Sequence, residues 1–189
     1  MIQLGCQKLW ATARYSCRYV LRTATAAMPV KVGEKLPSVD VHEGDPHCVI
    51  NIVELFKGKK GILIGVPGAF TPACNNNHLP SYLENYEELK KKGIDIIAFI
   101  AVNDAFVMKA WGDHHKVDGK IRMLADPTGS FTRAIDLELD KEQLIAALGN
   151  KRCKRFLMVL EDGVVVKLQV EPDGTGLSCS LGQHAKHII

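Results

Sequence analysis

Short apolar runs alternate with amphipathic segments along most of this chain. Residues 61–66 and 94–102 are almost entirely apolar and of strand length, which predicts two buried strands. Residues 72–92, between them, carry apolar side chains at helical spacing, and Gly93 follows as a C-terminal cap. The apolar positions of this predicted helix are Leu79, Leu83, Tyr86 and Leu89.

The remaining segments continue the alternation. Residues 29–48 predict loop, residues 51–56 a short helical turn, and residues 121–125 a strand followed by a turn. Residues 156–160 and 164–170 flank Glu161-Asp162-Gly163, which predicts a β-hairpin. Strands that alternate with helices and end in a hairpin predict an α/β fold, a central mixed sheet with helices on both faces.

Two further helices are predicted from their caps. Asp104 is a candidate N-cap for a helix reaching about residue 115. The apolar side of that helix is predicted to consist of Phe106, Val107, Ala110 and Trp111. Asp140 and Gln143 resemble a capping box, which predicts a helix that ends at Leu148.

The composition is that of one globular domain. The chain has 189 residues, of which 47% are hydrophobic and 24% charged, enough for a real core but short for two domains. No apolar run approaches the length needed to cross a bilayer, so no membrane is expected as a partner. Outside residues 1–27 the chain has 20 of its 24 basic residues against 21 acidic ones. This balance argues against nucleic acid as a main partner.

Residues 1–27 differ from the rest of the chain. They contain Lys8, Arg14, Arg18 and Arg22 and no acidic residue, with scattered Ser and Thr. This composition predicts a cleaved mitochondrial presequence that directs the protein to the matrix, and the alternative is a disordered basic tail. Met28 is a candidate second start that would give a cytosolic form, so the predicted domain spans residues 28–189.

The stretch PGAFTPAC, residues 67–74, carries the candidate chemistry. With Thr71 as N-cap and Pro72 at the first helical position, Cys74 lies in the first turn of the predicted helix. Unpaired backbone N–H groups and the positive end of the helix dipole favour the thiolate there. The Thr71 hydroxyl is expected to meet either the backbone N–H of Cys74 or its sulfur, while Pro67 and Pro72 bracket the loop. The arrangement is typical of an activated nucleophile, and the alternative is a small apolar side chain that fills space.

No other motif supplies a cofactor or a metal. The six cysteines include no C-x-x-C pair, and their irregular spacing favours packing or reactivity over a disulfide scaffold. The pairs His114-His115 and His184/His187 are expected on the surface. His78, one turn beyond Cys74, is a candidate base or a buried packing residue, and both remain open. Thiol redox chemistry is the simplest use of Cys74.

These residues carry a resemblance. The pattern Pro67-x-x-x-Thr71-x-x-Cys74 matches the active site of the peroxiredoxin family, and GVPGAFTPAC followed by HLP resembles its peroxiredoxin 5 type. The resemblance extends from residue 29 to about residue 181. It implies a thioredoxin-like fold in which Cys74 is the peroxidatic cysteine. Its thiolate would attack the O–O bond of hydrogen peroxide, an alkyl hydroperoxide or peroxynitrite and become a sulfenic acid.

The resemblance also implies roles for other residues. Thr71 would hydrogen-bond the thiolate and the peroxide, and Arg155 would add positive charge beside the sulfur, although its place in a basic run also fits a surface arginine. Cys179, in a Gly-rich loop, would be the resolving cysteine of an intramolecular disulfide that thioredoxin reduces. The expected assembly is a monomer or weak homodimer that serves antioxidant defence.

Some features depart from the family pattern or leave alternatives open. Ala73 stands where close relatives have glycine, and the C-terminus does not resemble a peroxisomal signal, which does not favour peroxisomal import. Cys48 and Cys153 are expected to be packing or bystander thiols. A redox relay that passes oxidation to a partner, or a binding module with an inert Cys74, would use the same sequence.

Overall fold

A seven-stranded mixed sheet forms the centre of the computed structural model, which describes residues 30–189. The predicted presequence, residues 1–27, lies outside the described residues. The strands of the sheet are β1 (Asp40–Glu43), β2 (Asp45–Asn51), β3 (Lys60–Gly65), β4 (Ile96–Ala101), β5 (Arg122–Ala125), β8 (Phe156–Glu161) and β9 (Val164–Val170). Their spatial order is β2-β1-β5-β4-β3-β8-β9. Strands β3, β4 and β5 pair in parallel, and the other pairs are antiparallel.

In the described part of the chain, seven helices and a π-helical turn surround the sheet. They are α1 (Ile52–Phe56), the π-helical turn Cys74–His78, α2 (Leu79–Glu84), α3 (Tyr86–Lys91), α4 (Ala105–His115), α5 (Ser130–Ala134), α6 (Glu142–Leu148) and α7 (Gly182–Ile188). Two short strands, β6 (Glu138–Leu139) and β7 (Arg152–Cys153), pair with each other next to α6 in the chain. Within residues 30–189 every helix is too short or too polar to cross a bilayer.

Alternate residues of the central strands divide the core into two layers. In β4, Ile96, Ala98 and Ile100 belong to one buried cluster, together with Phe56 of α1. The residues between them, Ile97, Phe99 and Ala101, belong to a second cluster on the opposite face. Since successive strand residues point to opposite faces, a continuous apolar run requires both faces to be covered. The predicted mixed sheet with helices on both faces is confirmed.

Several local predictions are confirmed by their hydrogen bonds. The side chain of Asn51 caps α1 by accepting from Val53 N at 3.1 Å, and Asp104 caps α4 by accepting from Val107 N at 2.9 Å. The predicted hairpin is present, with Phe156 opposite Val170.

Other local predictions were wrong in part. On the apolar side predicted for α4, Trp111 is buried as expected, but Phe106 is 62% exposed, and the other buried residues of the helix are Ala105, Met108 and Gly112. The first turns of α4 are apolar on several sides, so spacing alone did not show which side packs on the sheet. Asp140 is not the cap of α6, which begins at Glu142 after Lys141 and has no side-chain cap.

The ends of the described region are more regular than predicted. Residues 29–48 were expected to be loop, but they contain β1 and the start of β2. The C-terminal segment, for which no helix was predicted, forms α7, which buries Ala185. A Cβ on Gly182 would overlap the carbonyl of Ser81, so only glycine allows α7 to approach α2 this closely.

Candidate active site

The loop before Cys74 is fixed to the end of the sheet. After β3, Val66 N donates to Ile100 O at 3.0 Å, and Ala69 N donates to the side chain of Asn103 at 3.0 Å. Pro67 is buried, and Thr71 is partly buried. The Thr71 hydroxyl donates to Gly68 O at 3.0 Å, which differs from the expected bond to the Cys74 N–H or sulfur. The hydroxyl proton therefore stays within the loop, and the oxygen lone pairs remain free to accept.

Cys74 lies where this loop becomes helical. Pro72 and Ala73 are already helical, and the π-helical turn begins at Cys74, with Leu79 N donating to Cys74 O. Cys74 and His78 are both 0% exposed. The predicted uninterrupted helix over residues 72–92 is instead a π-helical turn followed by α2 and α3, which are separated at Asn85. This single turn directs the sulfur and the His78 imidazole to the same buried space.

Arg155 supplies the positive charge beside the sulfur. Its Nη1 lies 3.3 Å from Cys74 Sγ and 2.8 Å from His78 Nδ1, and its Nε donates to Thr175 O at 3.1 Å. The side chain is 1% exposed, so it is not the surface arginine that its basic neighbours allowed. Within the described residues no carboxylate lies within salt-bridge distance of it. A buried guanidinium without a carboxylate partner favours negative charge on the sulfur it touches.

The partners of His78 fix its tautomer. Its Nε2 lies 2.8 Å from Ser180 O, a carbonyl that can only accept, so Nε2 carries the proton. Its Nδ1 then offers a lone pair to the guanidinium of Arg155. Burial and, after it, the charge of Arg155 together lower the pKa of His78 from 6.5 to about 3. A neutral His78 therefore positions Arg155, which settles the open alternative against a base for Cys74.

The loop that carries Cys179 is gathered around one carboxylate. Glu171 accepts hydrogen bonds from the backbone N–H groups of Ser178, Cys179 and Ser180 and from both serine hydroxyls, at 2.6–3.1 Å. Burial alone would raise the pKa of Glu171, but the hydrogen bonds from Ser178, Ser180 and Cys179 outweigh it and lower the pKa to about 2. Glu171 is therefore ionised whenever the protein is folded at ordinary pH.

Cys179 itself is partly buried, and both Cys74 and Cys179 are free thiols in this structure. Burial, followed by the charge of Glu171, raises the pKa of Cys179. The two cysteines are connected through side chains: Arg155 touches Cys74, His78 touches Arg155, and Ser180, next to Cys179, accepts from His78. Sequence placed Cys179 near Cys74 only by resemblance. In the structure the Cys74 turn contacts Arg155, and the segment with Cys179 contacts His78, which in turn contacts Arg155.

A pocket of about 400 Å³ opens beside these groups. The loop contributes Pro67, Thr71 and Ala73 to its lining, and α6 contributes Leu144, Ala147 and Leu148. Arg155 and Thr175 also line it. The lining of the pocket is thus apolar except for Thr71, Thr175 and Arg155.

Three other residues considered in the sequence, Cys48, Cys153 and His115, do not line this pocket. Cys48 is exposed on β2, and Cys153 is buried in the core, where burial raises the pKa of its thiol to about 12. His115 is partly buried, and its Nε2 lies 2.8 Å from Asn75 Oδ1, contrary to the surface position expected for it. Among residues 30–189, no group of three His, Cys, Asp or Glu residues is arranged to hold a metal ion.

Comparison with known proteins gives a consistent result. Residues 31–181 match the family model described as Redoxin. The chain is 39% identical over 156 residues to "Peroxiredoxin-2E, chloroplastic" of Arabidopsis thaliana, covering 80% of this chain and 66% of that protein. The crystal structure of peroxiredoxin 5 from Alvinella pompejana is 43% identical, with a TM-score of 0.76 over 84% of this chain and 97% of that one. Reduced Prx3 from Vibrio vulnificus in complex with H2O2 is 40% identical, with a TM-score of 0.76 over 84% and 98%.

Proposed function

Because this chain belongs to the peroxiredoxin family, whose members are peroxidases of the oxidoreductase class, we propose that it reduces peroxides with Cys74 and regenerates the thiol through a disulfide with Cys179. The observation that carries the proposal is the 3.3 Å contact between Arg155 Nη1 and Cys74 Sγ in a buried site. A structural cysteine that only fills space would not need a buried guanidinium at its sulfur, since burying that charge is costly.

In the first step, the Cys74 thiolate attacks one oxygen of the peroxide. A sulfur–oxygen bond forms and the O–O bond breaks, so that sulfur is oxidised by two electrons to a sulfenic acid. The second oxygen leaves with the electron pair and takes a proton, giving water from hydrogen peroxide or an alcohol from an alkyl hydroperoxide. Peroxynitrite would be reduced to nitrite by the same attack.

Arg155 and Thr71 would act on the peroxide itself. The Arg155 guanidinium borders both the pocket and the sulfur, so it can stabilise the charge that moves from sulfur to the leaving oxygen. The Thr71 hydroxyl donates its proton to Gly68 O, so its oxygen can accept a hydrogen bond from the O–H of the incoming peroxide. Pro67 closes the pocket beside them and helps to exclude water.

In the second step, the Cys179 sulfur attacks the sulfenic acid sulfur. The S–S bond forms, the S–O bond breaks, and hydroxide leaves with the thiol proton as water. A thioredoxin dithiol then reduces the Cys74–Cys179 disulfide by thiol–disulfide exchange. No bound cofactor or metal is required, and peroxide and thioredoxin are the two partners of the cycle.

The pocket favours substrates with an apolar group. Leu144, Ala147 and Leu148 would face the alkyl chain of a hydroperoxide while its O–O group lies against Thr71 and Arg155. We therefore include alkyl hydroperoxides with hydrogen peroxide as substrates. The cycle as a whole would serve antioxidant defence and redox homeostasis.

The proposed setting is the mitochondrial matrix. Residues 1–27 have the composition of a presequence, and a plant relative is named chloroplastic, so organelle targeting has a parallel among the relatives. A fluorescent protein carrying residues 1–27 should enter mitochondria, and a diffuse signal would contradict this. The protein is proposed to be a monomer or weak homodimer, which sedimentation over a range of concentrations would test.

Cysteine substitutions test the cycle. Cys74→Ser should abolish peroxide consumption coupled to thioredoxin. Cys179→Ser should consume one equivalent of peroxide and then stop, because its sulfenic acid cannot form the disulfide that thioredoxin reduces. Cys48→Ser, which removes an exposed thiol on β2, is the matched control and should turn over like the native protein. Steady turnover by Cys74→Ser would overturn the proposal.

A further inference from the structure

The reduced position of the Cys179 loop is held by two independent anchors. On one side, Glu171 accepts five hydrogen bonds from Ser178, Cys179 and Ser180. On the other side, the Ser180 carbonyl accepts from His78 Nε2 at 2.8 Å and from the Tyr82 hydroxyl at 2.7 Å. Cys179, the residue proposed to form the disulfide, is held by these anchors.

Glu171 is attached to the central sheet. It follows directly on β9, and its backbone N–H donates to Arg155 O at 3.0 Å. Its side chain is 1% exposed, so its hydrogen bonds with the loop are shielded from water. The loop is thus fixed to the same strand pair that carries Arg155.

This arrangement does not suit a bond between the two sulfurs. A disulfide requires the sulfurs to lie about 2 Å apart and the two Cα atoms within about 7 Å. In the structure both cysteines are free thiols, and successive contacts through the Arg155 guanidinium and the His78 imidazole join Cys74 Sγ to Ser180 O. Either the Cys179 loop or the Cys74 turn must therefore move before the thiols can react.

We propose that Glu171 is a latch that holds Cys179 away from Cys74, so that release of the loop from Glu171 limits the rate of disulfide formation. This inference rests on the proposed cycle and assigns a further residue to it, a positioning residue that acts through Cys179. The sulfenic acid on Cys74 then persists while the latch is closed, and a second peroxide can oxidise it during that time. The latch also stabilises the reduced protein relative to the disulfide form, which makes the disulfide easier for thioredoxin to reduce.

Substitution of Glu171→Gln tests the latch. The amide replaces one acceptor oxygen by an NH2 group, which cannot accept from the serine and backbone donors that face it. Asp173→Asn is the matched control: among the described residues, the Asp173 carboxylate accepts from Thr175 and Gly176 in the same segment but not from residues 178–180. The double variant Ser178→Ala, Ser180→Ala removes two donors and keeps the carboxylate, should Glu171→Gln fail to fold.

The full-length protein is mixed with one equivalent of hydrogen peroxide, and the sulfenic acid on Cys74 is trapped with dimedone at successive times. In Glu171→Gln its formation should change by less than about threefold, while its loss to the disulfide should be at least about tenfold faster. If the equilibrium constant for forming the Cys74–Cys179 disulfide against a thiol buffer also rises about tenfold, the reduction potential of this cysteine pair falls by about 30 mV. If Glu171 only stabilised the fold as a whole, the substitution would affect the reduced and the disulfide forms alike, and the reduction potential would not fall.

The outcomes are distinct. Faster loss and a lower potential in Glu171→Gln, with Asp173→Asn like the native protein, establish the latch. If the sulfenic acid is lost at an unchanged or slower rate in Glu171→Gln, the latch is overturned. The Cys74 turn would then move towards a Cys179 loop that stays bound to Glu171. A native protein that forms a sulfenic acid but no Cys74–Cys179 disulfide would refute the proposed cycle itself, independently of what the variant does.

Discussion

His78 makes the stability of the domain depend on pH in a predictable way. The imidazole must stay neutral, because its Nδ1 lone pair faces the guanidinium of Arg155. Burial and that charge lower its pKa from 6.5 to about 3. As the pH falls below 6.5, the unfolded chain takes up a proton on this residue while the folded protein does not. The stabilising contribution is therefore complete above pH 6.5 and is lost progressively as the pH falls towards 3.

The size of the effect follows from the two pKa values. A shift from 6.5 to about 3 corresponds to about 5 kcal/mol over the whole window. Between pH 7 and pH 5 the unfolded-state proton accounts for about 2 kcal/mol of this loss. The pKa of Glu171 is lowered to about 2, so its contribution to the free energy of unfolding is lost only below about pH 4.5, outside the interval from pH 7 to pH 5.

The substitution His78→Gln isolates this contribution. Glutamine can still donate to Ser180 O and accept from Arg155 but does not titrate. Urea unfolding of the reduced proteins at pH 7 and pH 5 should show the native protein losing about 2 kcal/mol more than His78→Gln. His47→Gln, at an exposed site, controls for the loss of a histidine. Equal losses in native protein and His78→Gln would refute the assigned tautomer and its coupling to Arg155.

Three other substitutions have defined outcomes. Arg155→Lys leaves one nitrogen to serve Cys74, His78 and Thr175, so the rate constant for Cys74 oxidation should fall about 100-fold in stopped-flow assays, and a fall below threefold would contradict the role of the guanidinium. Ala147→Glu places a charge in the pocket wall and should slow tert-butyl hydroperoxide at least tenfold more than hydrogen peroxide, whereas equal slowing would show that alkyl groups bind elsewhere. Gly65→Ala would drive a Cβ into the Phe156 ring, so the urea midpoint should fall with a loss of about 3 kcal/mol, and an unchanged midpoint would show that the ring can move aside.

The features predictable from sequence were those set by neighbours in the chain. The apolar runs gave the central strands because both faces of β3 and β4 are buried, and Asp104 gave the start of α4 because an N-cap acts within three residues. Cys74 was found at the start of a helical segment for the same reason: Pro72 fixes the local backbone.

The parts that sequence missed depend on distant contacts. The bond between Arg155 and Cys74 joins residues 81 apart in the chain, and a basic run gives no sign that one of its arginines is buried. Glu171 looked like an ordinary residue after a strand, although three successive residues of the Cys179 loop converge on it. For His78 a local signal existed, since it lies four residues after Cys74, but its role became clear only with Arg155 and Ser180 on either side.

The central claim is that Cys74 and Cys179 form one redox pair. The most direct measurement is the non-reducing intact mass of the protein after one equivalent of hydrogen peroxide, followed by peptide mapping. A redox pair should give a loss of two hydrogens, mapped to a bridge between Cys74 and Cys179. An added oxygen on Cys74 with Cys179 still free would contradict the two-cysteine cycle and favour a relay, and an unchanged mass would mean that the Cys74 thiol does not react with peroxide.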